Sequence, residues 1–136
     1  MGSVVLDSGV IIGLFSSADP HHEWVTAQIE EALIQRDSLI ISTVTVAEVL
    51  VRPARTGDAE KVLADLHSLR ADVAEVSQAV APRAARLRAS HASLRLPDAF
   101  ILATAQEIGA ESLLTTDKRI GRVRLRGLRI RHPRWL

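Results

Sequence analysis

The sequence contains no cysteine among its 136 residues. This absence excludes disulfide frameworks, zinc sites with thiolate ligands and thiol nucleophiles. No apolar run approaches the ~20 residues that a membrane-spanning helix needs, and no charged segment followed by a longer apolar stretch marks a secretory signal. We therefore expect a cytoplasmic protein that does not associate with membranes.

The sequence also lacks the short motifs of several enzyme classes. It has no GxGxxG and no GxxxxGK segment, so the phosphate-binding loops of dinucleotide-binding and P-loop proteins are missing. No GxSxG elbow surrounds its serines. Its five histidines show neither HxH nor HExxH spacing, which disfavours a histidine-based zinc site.

A large net charge is missing too, because the formal charge of the whole chain is +1. The charges are nevertheless unevenly distributed. Residues 1–116 carry 15 acidic and 9 basic residues, a net charge of −6, whereas residues 117–136 carry 1 acidic and 8 basic residues, a net charge of +7. A short basic segment after an acidic body indicates a polyanionic partner such as nucleic acid.

The residues that are present predict one compact domain over residues 1–136, with 47% apolar and 24% charged residues. Short β-branched runs alternate with longer helical patterns along the chain. Strands separated by helices predict an α/β fold with a central parallel sheet of about five strands and helices on both faces. The predicted strands are Ser3–Leu6, Leu39–Ile41, Asp72–Val76, Ser112–Thr115 and Leu128–Ile130, and the predicted helices are Pro20–Gln35, Ala59–Leu69, Pro82–Ser90 and Pro97–Ile108.

Four acidic residues stand where a parallel sheet usually binds its ligand, outside the carboxyl ends of the strands. Asp7, Glu48 and Asp117 lie at or just beyond a predicted strand end, and Asp98 opens the helix that precedes the fourth strand. Carboxylates brought together repel one another, and a hard divalent cation that prefers oxygen ligands relieves that repulsion. The four acids therefore predict a Mg²⁺ or Mn²⁺ site.

Each of these acids also has a local structural interpretation. Asp7 suits the cap of the helix that follows it. Glu48 suits a capping box that begins at Thr45. Asp98 in a first helical turn complements the helix dipole, and Asp117 suits a turn stabilised by the threonine hydroxyls before it.

At these acids the sequence resembles the PIN domain, and most closely the VapC-type toxins of bacterial type II toxin–antitoxin pairs. The matching segments are VVLDSGVIIGLF, ISTVTVAEVL, LPDAFILATAQEIGAESLLTTD and the closing strand, in the family's order and over nearly the whole chain. The acids in PDAFILATA and LLTTD, at their spacing, are the most specific part. One departure is that DKRI, which begins at Asp117, has no further acid and no aromatic residue.

The resemblance implies a three-layer α/β/α fold and a metal-dependent endoribonuclease, in which metal-activated water hydrolyses RNA phosphodiesters. It also implies a homodimer and a cognate antitoxin protein of the VapB kind as partner. The family's catalytic and metal-binding acids fall on Asp7, Glu48, Asp98 and Asp117, and its supporting hydroxyls fall on Thr115 and Ser8.

The basic segment supplies candidate RNA contacts, because arginine and lysine bind phosphates. The alternative is that a charge at every second position simply faces solvent along an edge strand. Both interpretations can hold together. The candidate RNA-binding residues are Lys118, Arg119, Arg122, Arg124 and Arg126.

Other functions remain as alternatives. A haloacid-dehalogenase-like phosphatase needs a second acid two positions after the first, and here that residue is Gly9. The strongest alternative is a non-catalytic PIN-fold module that binds RNA or regulates another protein. The presence of all four acids argues against it, and metal-dependent cleavage of a mixed RNA pool distinguishes the two.

Overall fold

The computed structural model of the protein describes residues 2–134. Five parallel strands form one sheet, and helices connect them. The strands are β1 (Ser3–Leu6), β2 (Ser38–Ser42), β3 (Asp72–Ala74), β4 (Ser112–Leu114) and β5 (Arg129–Arg131). The helices are α1 (Ser8–Phe15), α2 (His22–Ile34), α3 (Thr43–Thr56), α4 (Ala59–Ser68), α5 (Val80–Ser90), α6 (Leu96–Glu107) and α7 (Lys118–Gly121).

The strand order is β3-β2-β1-β4-β5, so β1 lies at the centre of the sheet. From β1 the chain first builds outward through β2 and β3, and then crosses to the other side of β1 to add β4 and β5. The strand order therefore reverses beside β1, between it and β4. In open parallel sheets this is the place where ligands bind, outside the carboxyl ends of the strands.

Alternation along the strands explains the three layers, because successive side chains point to opposite faces of a sheet. In β1, Val4 and Leu6 belong to one apolar core and Val5 to the other. The same alternation places Leu113 and Leu114 of β4 in different cores. Helices α1 to α4 contribute to the core that contains Leu6, and helices α5 to α7 contribute to the core that contains Val5.

The sequence-based prediction of an α/β/α fold with a parallel sheet of about five strands is confirmed. Several boundaries were wrong by one to two residues. The second helix begins at His22 rather than Pro20, because the Asp19 carboxylate accepts a hydrogen bond from the His21 amide at 2.8 Å and forms a turn there. The third strand ends at Ala74 rather than Val76. Within the described residues, no helix is both long and apolar enough to span a bilayer.

Candidate active site

Asp7 lies directly after the central strand and is only 3% exposed. Its Oδ1 accepts a hydrogen bond from the Ser8 amide at 2.8 Å, so it caps α1 as one of the local interpretations predicted. Its Oδ2 accepts a hydrogen bond from the Thr115 hydroxyl, also at 2.8 Å, which joins the ends of the paired strands β1 and β4. The two bonds fix the carboxylate at the point where the strand order reverses.

Burial raises the pKa of Asp7 from 3.8 to about 6. This value is the net result of all the neighbours: the hydrogen bonds from Thr115 and Ser8 lower the pKa, and the charges of Glu48 and Asp98, like burial, raise it. A buried carboxylate is costly to ionise without a compensating cation. A cation bound beside Asp7 would therefore stabilise the ionised form of its carboxylate.

Asp98 is the third residue of α6 and is 2% exposed. Its Oδ2 accepts a hydrogen bond from the Arg95 amide at 3.0 Å at the start of the helix. The Arg95 guanidinium also reaches the carboxylate, with its Nη2 3.3 Å from Oδ1. Because α6 leads into β4, its first turn lies at the carboxyl edge of the parallel sheet, beside Asp7.

Glu48 lies in α3, and the capping box predicted for it was wrong. The helix begins three residues earlier than that box requires and is capped by Ser42, whose Oγ accepts a hydrogen bond from the Val44 amide at 3.1 Å. Glu48 is therefore freed from a capping role, and its Oε1 is buried without a hydrogen-bond partner among the described residues. Burial, followed by the charge of Asp98, raises the pKa of Glu48, while a hydrogen bond with the Ser8 side chain lowers it.

Asp117 follows β4 and caps the short helix α7. Its amide donates a hydrogen bond to the Thr115 hydroxyl at 3.0 Å, which confirms the predicted turn with a preceding threonine. Its carboxylate forms an ion pair with Arg119, whose Nη2 lies 3.1 Å from Oδ2. Burial raises the pKa of Asp117, but the hydrogen bonds from Arg119 outweigh it, so the pKa lies below its ordinary value.

These side chains form one electrostatic group. Asp7 is affected by the charges of Glu48 and Asp98, and Glu48 is affected by those of Asp98 and Asp117. The Thr115 hydroxyl donates to Asp7 and accepts from the Asp117 amide, so it connects two of the four acids directly. We name the four residues the acidic edge: Asp7, Glu48, Asp98 and Asp117.

The donor set of the acidic edge suits a hard divalent cation, because it consists of carboxylate and hydroxyl oxygens with no sulfur. The buried Glu48 oxygen without a partner is a further sign that a ligand belongs there. No group of three or more acidic or histidine side chains in residues 2–134 is already closed into a metal-binding arrangement. The residues therefore fit a magnesium-like ion, and binding it requires side chains to rearrange.

Arg95 is the residue that the sequence interpretation missed. A lone arginine in a loop carries no recognisable signal, but its position three residues before Asp98 is that of a helix cap facing an acidic third residue. Arginine lacks the side-chain acceptor of a capping box, so neither residue type nor spacing identifies this contact. Arg119, by contrast, was named as an RNA contact, and the structure places it on Asp117.

The remaining predicted RNA-binding residues lie near the carboxyl terminus and are exposed: Lys118, Arg122, Arg124 and Arg126. Between them the chain buries Val123 and, further on, Leu128. Only Arg129–Arg131 of this region forms a strand, so the predicted edge strand is one residue later than expected. Arg122, Arg124 and Arg126 face solvent as in the alternative interpretation, but they lie outside the strand that it expected, and their binding to RNA stays a prediction.

Comparisons with known proteins agree with this geometry. The parallel sheet, the reversal of strand order beside β1 and the acids at its carboxyl edge define a class of α/β proteins with a ligand site at that edge. The sequence matches the PIN domain over residues 4–125, and the chain belongs to that family. No curated protein matches the chain.

Several solved structures share the fold. A toxin–antitoxin complex from Klebsiella pneumoniae contains a chain 27% identical to this one, with 92% of this chain and 94% of that chain covered and a TM-score of 0.66. VapBC2 from Rickettsia felis, bound to a DNA fragment from its promoter, is 15% identical, covers 97% and 99%, and has a TM-score of 0.74. VapC20 of Mycobacterium tuberculosis, a toxin that cleaves the sarcin–ricin loop, is 15% identical, covers 86% and 92%, and has a TM-score of 0.69.

Proposed function

We propose that this protein is a metal-dependent endoribonuclease that hydrolyses RNA phosphodiesters, acting as the toxin of a VapBC-type pair in the cytoplasm. The observation that carries the proposal is the acidic edge. Two of its four carboxylates are almost completely buried, at the edge where open parallel sheets bind ligands. Toxins of known structure share the fold, and one of them cleaves the sarcin–ricin loop.

The four acids would hold Mg²⁺ or Mn²⁺, with Asp7 and Asp98 as the principal ligands and Glu48 and Asp117 binding directly or through water. When bound, such an ion lowers the pKa of a water molecule and neutralises charge on the phosphate and the leaving oxygen.

The chain's own residues prepare that chemistry. The hydrogen bonds from Thr115 and the Ser8 amide hold the Asp7 carboxylate in one orientation before any ligand arrives. The Ser8 side chain lies near Glu48 and lowers the pKa of its carboxyl. Preorganised groups lose little freedom when a ligand binds, and this preserves binding energy for the reaction itself. Ser8 and Thr115 are therefore proposed as positioning residues rather than catalytic ones.

The exposed arginines near the carboxyl terminus would hold the RNA backbone. An active site of four acids repels a polyanion, so a separate basic surface is needed to bring the substrate to it. Lys118, Arg122, Arg124 and Arg126 supply such a surface because all of them are exposed. Arg119 lies between this surface and Asp117.

We further propose a homodimer and an antitoxin protein of the VapB kind as partner. Support for an apolar partner segment comes from a cavity of about 260 Å³ beside Glu48, lined by Ile12, Phe15, Val49 and Val62. Ile12 and Phe15 are large apolar residues exposed to solvent. An inhibitor in this cavity would also cover Glu48 of the acidic edge.

The test is cleavage of total RNA by the purified protein with Mg²⁺, with Mn²⁺ or with an excess of chelator. We expect discrete fragments with either ion and intact RNA with chelator. RNA that is bound but never cut, with either ion present, would instead support the non-catalytic RNA-binding module. Cleavage that persists in chelator would contradict the metal mechanism.

A further inference from the structure

Two of the four acids already carry a cation from the protein itself. The Arg95 guanidinium contacts both oxygens of Asp98, with its Nε 3.4 Å from Oδ2 and its Nη2 3.3 Å from Oδ1. The Arg119 guanidinium contacts both oxygens of Asp117, with its Nε 3.4 Å from Oδ1 and its Nη2 3.1 Å from Oδ2. Both arginines therefore occupy carboxylate oxygens that a metal ion would need.

The two arginines lie close enough to affect each other. The hydrogen bond and charge of Asp98 raise the pKa of Arg95, whereas the charge of Arg119 lowers it. Glu48 also acts on Arg95, and Asp98 also acts on Arg119. With four carboxylates and two guanidiniums, the group has a formal charge of −4 + 2 = −2 when all are ionised, and without the guanidiniums the charge is −4.

The guanidinium contacts are the part of this arrangement that is easiest to remove. The Arg95 side chain is 54% exposed, and its contacts with Asp98 lie at the long end of the hydrogen-bond range. The Asp98 carboxylate, however, is 2% exposed, so its charge needs a replacement cation when the guanidinium leaves, and a divalent ion supplies one. The 3.0 Å bond from the Arg95 amide holds Asp98 in place independently of the side chain. Releasing the guanidinium would therefore leave the carboxylate correctly positioned.

We propose that Arg95 and Arg119 are internal counter-ions that occupy Asp98 and Asp117 in the metal-free protein and compete with the divalent cation for them. The inference rests on the proposed function, because it assumes that the acidic edge binds a metal. Each guanidinium must leave its carboxylate before the ion binds there. Metal affinity is consequently lower than four carboxylates alone would give, and neither residue is itself a ligand.

The test is Mn²⁺ binding to the metal-stripped protein without RNA, followed by the paramagnetic resonance signal of free Mn²⁺ at 0.15 M salt. The variants are Arg95→Gln, Arg119→Gln and the double variant. We expect three- to tenfold tighter binding in each single variant and a larger gain in the double variant. Arg95→Lys, which keeps the charge, should stay within twofold of the wild type.

The matched control is Arg52→Gln. Arg52 lines the same cavity as Glu48 and is exposed, so its removal changes the charge by the same amount near the acidic edge. Arg52 lies one helical turn from Glu48, but among the described residues it forms no hydrogen bond or ion pair with any of the four acids, so it occupies no carboxylate oxygen that the metal ion would need. We expect a change of less than twofold. A gain in Arg52→Gln equal to that in Arg95→Gln would overturn the proposal, because a general field would then explain both.

The outcomes separate this inference from the proposed function. Unchanged or weaker Mn²⁺ binding in Arg95→Gln, with a wild type that binds Mn²⁺ and cleaves RNA, overturns the counter-ion role alone. Failure of every variant to bind Mn²⁺ overturns both. Binding that appears only after the arginines are removed supports the counter-ion role in its strongest form. Circular dichroism of each metal-free variant confirms that the fold is retained, which the exposed position of the Arg95 side chain favours.

Discussion

The acidic edge and the basic segment, defined here as residues 118–134, differ in how far their charged side chains are buried and fixed. At the acidic edge, Asp7 and Asp98 are buried and each is fixed by a backbone amide and by a second partner. In the basic segment, Arg122, Arg124 and Arg126 are exposed. A buried, fixed charge has a role that no neighbour can replace, whereas exposed charges of one sign act additively. Single substitutions should therefore be severe at the acidic edge and graded in the basic segment.

The largest effect is expected for Asp98→Asn, measured as the rate of RNA cleavage with Mn²⁺. The variant keeps the shape of the side chain and an oxygen that accepts from the Arg95 amide, but it loses the charge that would bind a metal. We expect the rate to fall at least about a hundredfold. The control Asp72→Asn changes an exposed acid at the edge strand β3 and should cleave at the wild-type rate. Equal rates for the two variants would remove Asp98 from the site.

The combined variant Arg122→Gln, Arg124→Gln, Arg126→Gln tests whether the exposed charges of the basic segment contribute additively to RNA binding. We expect RNA affinity at 0.15 M salt to fall about tenfold, and the slope of log affinity against log salt concentration to decrease by about 2, since each phosphate contact on a single strand contributes roughly 0.7. Fluorescence anisotropy with a labelled RNA in chelator measures binding without cleavage.

The control for this variant removes three exposed arginines elsewhere on the chain: Arg55, Arg86 and Arg88. The change in net charge is the same. A salt slope that falls equally in both variants would show that the basic segment is only a solvated surface.

Asp7 allows the cost of the buried charge to be measured through pH. Its folded pKa of about 6 lies above the ordinary 3.8, so protonation stabilises the folded state. The stabilisation is complete below the ordinary pKa and is lost as the pH rises through about 6. In chelator, we expect the free energy of unfolding of the wild type to rise relative to that of Asp7→Asn by about 1.4 kcal/mol from pH 7 to pH 5. A difference in the free energy of unfolding between wild type and Asp7→Asn that is the same at pH 7 and pH 5 would contradict the raised pKa of Asp7.

The smallest effect is expected for Thr115→Val, which removes the hydroxyl between Asp7 and Asp117 without changing the shape of the side chain. The buried Asp7 oxygen then loses its donor, at a cost of about 1 kcal/mol in the free energy of unfolding. The pKa of Asp7 should also rise, because the lost hydrogen bond was lowering it. Thr115→Ser removes a fully buried methyl group but keeps the hydroxyl, so it should leave the pKa of Asp7 as in the wild type.

The fold and the positions of the acids were predictable because they depend on periodic features. The short apolar runs of β1 and β4, buried on both faces, and the proline at the start of α6 indicate the sheet and the helix start directly from residue types. The wrong capping box at Glu48 shows the limit. Both Ser42 and Thr45 are good helix caps by residue type, and only the length of β2 decides between them.

The arginine contacts of the site were less predictable for a physical reason. A long flexible side chain reaches several neighbours, so residue type and spacing do not determine its partner. Arg119 belongs to a run of basic residues and was assigned with them, although its own amide and side chain are both bonded to Asp117. Arg119 therefore belongs to the basic segment by its position in the sequence and contacts the acidic edge through Asp117.

The central claim is that the acidic edge binds a divalent cation and that RNA cleavage depends on it. The most direct test titrates Mn²⁺ into the metal-stripped protein and measures bound Mn²⁺ and RNA cleavage in the same samples. The account predicts that cleavage rises with the fraction of protein that has bound Mn²⁺, and that both are lost in Asp7→Asn. Cleavage at full rate before any Mn²⁺ is bound, or Mn²⁺ binding unchanged in Asp7→Asn, would contradict it.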